Sequence, residues 1–109
     1  MTTGIRKAPP REASIVDAIA KHLRKTPQCL AIKTHGDVSL PAGTPDFIIC
    51  YRGRYVALEV KRPGGARPTP IQRKRLADIA AAGGYSCVVR SVADAANALR
   101  EVDREIAKE

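Results

Sequence analysis

Apolar residues along this chain recur with two different periods, and the switches between them mark out seven elements. Ile15, Val16, Ile19 and Leu23 fall at helical spacing, which predicts a helix over residues 11–25, stopped by Pro27. Residues 29–33 read as a short strand. Residues 34–44 contain two Gly, a Pro and an Asp and read as a loop. Residues 47–51 and 55–60 are two strand-like runs joined by Arg52 and Gly53, a tight hairpin turn in which Gly supplies the positive φ. A basic Gly/Pro loop covers residues 62–68. A second helix then starts with Thr69 as N-cap, Pro70 at the first helical position and Gln72 closing a capping box. Leu76 and Ile79 continue its apolar stripe, and Gly83-Gly84 ends it. Residues 85–90 form another strand. Ser91 and Asp94 cap a last helix that turns Val92, Ala95, Leu99, Val102 and Ile106 inward. The order predicts an α/β fold with a mixed sheet flanked by helices. Residues 1–10 are polar, end in Pro9-Pro10 and read as a flexible basic tail ahead of one domain over residues 11–109.

Composition sharpens the picture in three ways. Aromatics are only 4% of the 109 residues and Trp is absent, so the core must be aliphatic. The formal net charge of +8 points to a polyanionic partner such as nucleic acid. The three cysteines, Cys29, Cys50 and Cys87, have no zinc-site or disulfide-framework spacing; Cys50 and Cys87 sit in apolar runs and read as small buried hydrophobes. Free thiols fit a reducing, cytoplasmic compartment. No apolar run approaches the ~20 residues of a membrane helix, and no signal-peptide stretch is expected at the polar N-terminus.

The candidate chemistry comes from the hairpin. With Arg52 and Gly53 as its two loop residues, Tyr51 faces Arg54, and stepping back along both strands brings Asp46 opposite Glu59, with Cβ atoms about 5 Å apart. Lys61 lies two residues beyond Glu59 and shares its face. A bulge at Gly53 would shift this register by one. Two carboxylates at about 5 Å repel by roughly 3 kcal/mol at an effective dielectric near 20. Such a pair is tolerable with a cation between them or a proton on one of them. Hard divalent cations take carboxylate, water and phosphate oxygens, and can polarise a phosphodiester and acidify bound water. The bland alternative is a turn residue at Asp46 and a solvated face at Glu59 and Lys61. Against it, Leu58 and Val60 flank Glu59 in a run that reads as buried on both faces, where charges are rarely placed.

Gly43-Thr44-Pro45-Asp46-Phe47, then Glu59-Val60-Lys61-Arg62-Pro63, then a helix bearing Gln72, resembles the PD-(D/E)XK nuclease superfamily and, more narrowly, the stand-alone VRR-NUC (virus-type replication-repair nuclease) domain, over residues 12–92. The resemblance implies a restriction-endonuclease-like αβββαβ core and Mg²⁺- or Mn²⁺-dependent endonuclease cleavage of DNA, with branched or structured DNA as the expected substrate in the manner of Holliday junction resolvases. The alternative is a non-catalytic DNA-binding module of the same fold. Asp46 and Glu59 would bind metal, joined by the Val60 backbone carbonyl, and Lys61 would serve catalysis. Glu12 either completes the metal site or is a first-turn acid that complements the helix dipole. Gln72 either reaches the active centre or only closes the capping box. Thr69 stands where the family usually has Ser. Arg62, Arg67, Arg73 and Lys74, with Arg75, would contact DNA phosphates, in part as a solvated face. His35, in the loop before Asp46, is a weaker candidate for approaching DNA, and His22 reads as a surface residue. The resemblance further implies a homodimer, a role in replication or repair, and a bacterial or phage-infected host cytoplasm.

Overall fold

A computed structural model describes residues 11–109, so the expected N-terminal tail lies outside the described residues. The elements follow the predicted order: α1 (Glu12–Arg24), β1 (Cys29–Lys33), β2 (Phe47–Tyr51), β3 (Arg54–Val60), α2 (Pro70–Ala81), β4 (Tyr85–Val89) and α3 (Val92–Ala107). Element ends move by a residue at most in the strands, where β3 already begins at Arg54 and β4 stops before Arg90. The four strands form one mixed sheet in the order β1-β2-β3-β4, antiparallel except for the parallel β3–β4 pair. No helix among the described residues is long and apolar enough to cross a membrane.

The hairpin register is the one the turn chemistry requires. Tyr51 pairs with Arg54 and Phe47 with Leu58, with no bulge. Arg52 and Gly53 both have positive φ, 50° and 81°, as a type I′ turn demands. Arg52 adopts this left-handed conformation at a cost of about 1 kcal/mol that a glycine would not incur.

Alternation divides the sheet into two unlike faces. Phe47, Ile49, Tyr51, Val56, Leu58, Val60 and Val89 point to one face, where α1 contributes Ile15, Val16, Ile19 and Leu23 and α3 contributes Ala95, Ala98, Leu99 and Val102. This is the aliphatic core; each fully buried Leu, Ile or Phe contributes about 1.5–3 kcal/mol. The other face carries Ala57, Glu59 and Lys61 of the β3 row and is covered only in part. There α2 lies over β4 and β3, with Ser86 Oγ donating to Leu76 O (2.7 Å). The rest of this face, over β1, β2 and the start of β3, stays open, with Leu30, Ile32 and Tyr55 exposed.

Two expectations change here. Cys50 is exposed rather than buried, because it alternates with Ile49 and so faces the uncovered half of the sheet. The apolar stripe expected on α2 is shallow: Leu76 and Ile79 are half-buried, and no α2 residue is fully buried. A helix resting on a sheet edge has little surface to cover it.

Candidate active site

Asp46 sits immediately before β2 and Glu59 near the end of β3. The hairpin register extended by one step sets them opposite each other, and both are buried, at 8% and 1% exposure. The backbone holds Asp46 at this point by two routes. The Thr34 N–H donates to Asp46 O (2.8 Å), and Thr34 Oγ1 donates to Pro45 O, which closes the 34–46 loop against the end of β1. The second route is Gly43, whose φ of +81° and contact with the backbone of Ile71 leave no room for a side chain: a Cβ there would lie 2.8 Å from Ile71 O. The Gly-Thr-Pro-Asp segment therefore needs its glycine to pass α2 closely before delivering Asp46.

The carboxylate of Asp46 is gripped on both oxygens. Oδ2 accepts from the Val60 backbone N–H at 2.7 Å. Oδ1 lies 2.7 Å from His35 Nδ1, where an Nδ1–H tautomer donates to it. Glu59 is held differently. Its Oε2 is 3.9 Å from Lys61 Nζ, and its Oε1 is buried with no hydrogen-bond partner. Such an orphaned acceptor costs about 1–3 kcal/mol. Burial, and then the neighbouring Asp46 carboxylate, push the Glu59 carboxyl up to about 8. Lys61 pulls it the other way, and Glu12, from the first turn of α1, adds a further small push. The pull of Lys61 is too weak to offset desolvation.

The residues meet a divalent cation's needs in part. The orphaned Oε1 beside a second carboxylate is an oxygen-donor set short of positive charge. Among the described residues, no group of three His, Cys, Asp or Glu side chains forms a ready metal shell. Glu12 thus feels Glu59 without joining it and Asp46 as a third close ligand. Mg²⁺ bound through one or two carboxylates, with water and phosphate filling its shell, needs no third carboxylate.

The remaining expected site residues are spread around this centre. Gln72 closes the capping box of α2: Thr69 N–H donates to Gln72 Oε1 (2.9 Å) and Gln72 N–H to Thr69 Oγ1 (3.3 Å). Arg62 and Arg67 are exposed on the loop after β3. Arg73 donates to Pro68 O (2.7 Å), Arg75 to Ala42 O (3.2 Å), and Lys74 pairs with Asp78 (2.9 Å) on the outside of α2. His22 is half-buried on α1, away from the site residues. The His35–Asp46 contact is the feature that sequence reasoning did not reach. It was accessible in principle: the β1–β2 register pairs Lys33 with Phe47, so the residues just past β1 flank Asp46.

An opposed Asp/Glu pair and a Lys thus stand at one end of a mixed sheet backed by α1 and α3. No family model matches the sequence, and no curated protein is similar to it. Solved structures similar to the chain include the following two. One, described as a VRR_NUC domain protein, superposes with a TM-score of 0.67 at 17% identity, covering 85% of this chain and 88% of its own. The other, described as a VRR_NUC domain, gives a TM-score of 0.57 at 25% identity, over 84% and 90% respectively. The chain carries the VRR-NUC fold.

Proposed function

We propose that this protein is a metal-dependent nuclease that hydrolyses phosphodiester bonds in DNA, with branched or otherwise structured DNA as its preferred substrate. The observation that carries the reading is the buried, opposed Asp46–Glu59 pair with its orphaned Glu59 Oε1 and Lys61 alongside. The nuclease descriptions of the two similar folds and the +8 charge agree with it.

Asp46 and Glu59 would hold the Mg²⁺ or Mn²⁺, with the Val60 carbonyl as a further oxygen donor and Glu12 contributing through bound water rather than as a direct ligand. A cation bound there supplies Lewis acidity to the phosphate and lowers the pKa of coordinated water. Val60 N–H and His35 fix the Asp46 carboxylate so that it does not have to reorganise when the cation arrives. Lys61, largely buried, presents an ammonium that orients the attacking water and stabilises the charge that builds on the phosphoryl oxygens. Gln72 can contribute by its amide nitrogen while its oxygen stays in the cap. Arg62, Arg67, Arg73 and Lys74 would supply phosphate contacts. A homodimer would put two active centres on one branched substrate. The β1 edge supports it: antiparallel pairing about Ala31 would set exposed Leu30 against Ile32 of a second copy.

The test is cleavage of labelled four-way junction, flap, duplex and single-stranded DNA with Mg²⁺, Mn²⁺ or EDTA, beside Asp46→Ala and Lys61→Ala. Metal-dependent cutting, strongest on branched DNA and reduced at least about 10³-fold in both variants, is expected. Normal cutting by both variants would remove the assignment. Binding without cutting on every substrate would favour the non-catalytic module. Light scattering reads the dimer, and Leu30→Lys should break it.

A further inference from the structure

Arg67, Arg73 and Arg90 line one open groove together with Gly65 and Pro68. The three cations come from three separate places: the loop after β3, α2, and the residue following β4. The groove opens at the active-site end of the sheet. Val60 pairs with Val89, and the Lys61 N–H donates to Val89 O at 3.0 Å, so Arg90 leaves the sheet beside Lys61.

These cations are held differently from the ion-paired cations elsewhere on the surface. Arg52, Arg54, Arg104, Lys33 and Lys74 each reach a carboxylate. In the groove, Arg90 Nη1 donates to Arg62 O (2.8 Å) and Arg73 Nη1 to Pro68 O (2.7 Å). A carbonyl fixes a guanidinium without neutralising it. No carboxylate lines the groove, and no ion pair among the described residues involves these three. The first ten residues of the sequence contain no Asp or Glu that could supply one. The result is a set of positioned, uncompensated guanidiniums, whose planar donor forks match phosphate oxygens. The groove volume of about 780 Å³ is in the range of sites that take a whole small molecule rather than a lone ion.

We propose that this groove binds the phosphodiester backbone of the substrate strand on one side of the scissile phosphate, with Arg67, Arg73 and Arg90 as its phosphate ligands. The proposal rests on the nuclease reading for the term "scissile", but its binding step is measurable without cleavage. It assigns a role to Arg90.

Fluorescence anisotropy in EDTA with a labelled junction and a labelled single strand reads the binding. The Arg67→Gln/Arg73→Gln/Arg90→Gln variant should bind at least about ten-fold more weakly. Its plot of log affinity against log salt should flatten by about 2–3, at 0.7–0.9 per lost phosphate contact. Arg104→Gln, on α3 and paired with Glu101, should bind as wild type. Arg67→Gln alone, which removes no hydrogen bond of the fold, should show about one third of the flattening; it carries the test if the triple variant does not fold. In cleavage, the triple variant should raise KM with kcat retained. Trimming the strand on one side of the cut should raise KM for wild type and no further for the variant. Unchanged affinity and salt slope in the triple variant and in Arg67→Gln would overturn the groove. If Lys61→Ala abolishes cutting while the triple variant binds and cuts normally, the groove alone fails. If Lys61→Ala cuts normally, the catalytic reading fails and the anisotropy result still decides the groove.

Discussion

The two ends of the β2–β3 hairpin solve opposite electrostatic problems. At the turn, Arg52 pairs with Asp103 at 2.7 Å and Arg54 with Glu109, all of them in contact with solvent. At the open end, Asp46 and Glu59 are buried and have one ammonium, Lys61, at 3.9 Å from Glu59. Water screens the pairs at the turn, so they form easily and matter little. At the open end water is excluded, the two carboxylates raise each other's energy, and an acceptor oxygen goes unmet. The same two strands carry both ends. The core beneath them, Phe47, Leu58 and Val60 against α1 and α3, stabilises the fold enough to tolerate the strained end. The comparison separates charge that serves folding from charge that waits for a ligand.

Glu59→Gln should break the contrast most sharply. Under the nuclease reading it removes cleavage by at least about 10²-fold, while making the metal-free protein more stable at alkaline pH. The sign follows from the proton balance. The folded-state pKa of about 8 lies above the ordinary 4.5, so between these values the native state holds a proton that the unfolded chain has released. Stability is therefore greatest at the acid side of this window and falls as pH rises through it. In EDTA, wild type should melt several degrees lower at pH 8 than at pH 5.5, since about 1 kcal/mol moves a domain of this size by 4–8 °C. Glu59→Gln should flatten that dependence; a profile equally steep in the variant would count against the buried pair as its source.

Metal should repair what alkaline pH damages. Mg²⁺ or Mn²⁺ at about 100 times its Kd should stabilise wild type at pH 8 by about 2.7 kcal/mol, and Glu59→Gln by much less. A thermal melt that ignores both metals would argue against a cation site. His35→Ala should lower metal affinity or activity by about 10- to 100-fold, as loss of a partner that orients a ligating carboxylate does. Titration of Mn²⁺ followed by melting temperature measures this apart from cleavage. The smallest effect belongs to the turn. Arg52→Ala should change stability by no more than about 1 kcal/mol and leave cleavage unaltered, and a larger loss would mean that the turn pairs are not the screened contacts their exposure implies.

Legibility in the sequence tracked the range of the interactions. The helix over α1, the Thr69–Gln72 capping box and the Ser91 cap depend on residues three or four apart, and each formed as its local pattern required. The hairpin was equally local: a two-residue turn with Gly53 sets the register, and the register alone brings Asp46 to Glu59. Cys50 and the stripe on α2 were misjudged because apolar neighbours along the chain do not reveal which part of a sheet face another element covers.

What the sequence determined by itself is thus the element order, the hairpin and the opposed carboxylates with Lys61, because turn geometry and strand alternation propagate over a few residues without help. What only the tertiary structure decided is the company these residues keep. His35 meets Asp46 because β1 pairs with β2, and Arg90 joins Arg67 and Arg73 because β4 lies parallel to β3. Those encounters join segments far apart in the chain, and no periodicity in either segment encodes them. The burial that drives Glu59 upward arises in the same way, from elements closing around a strand whose own residues specify only that it is a strand.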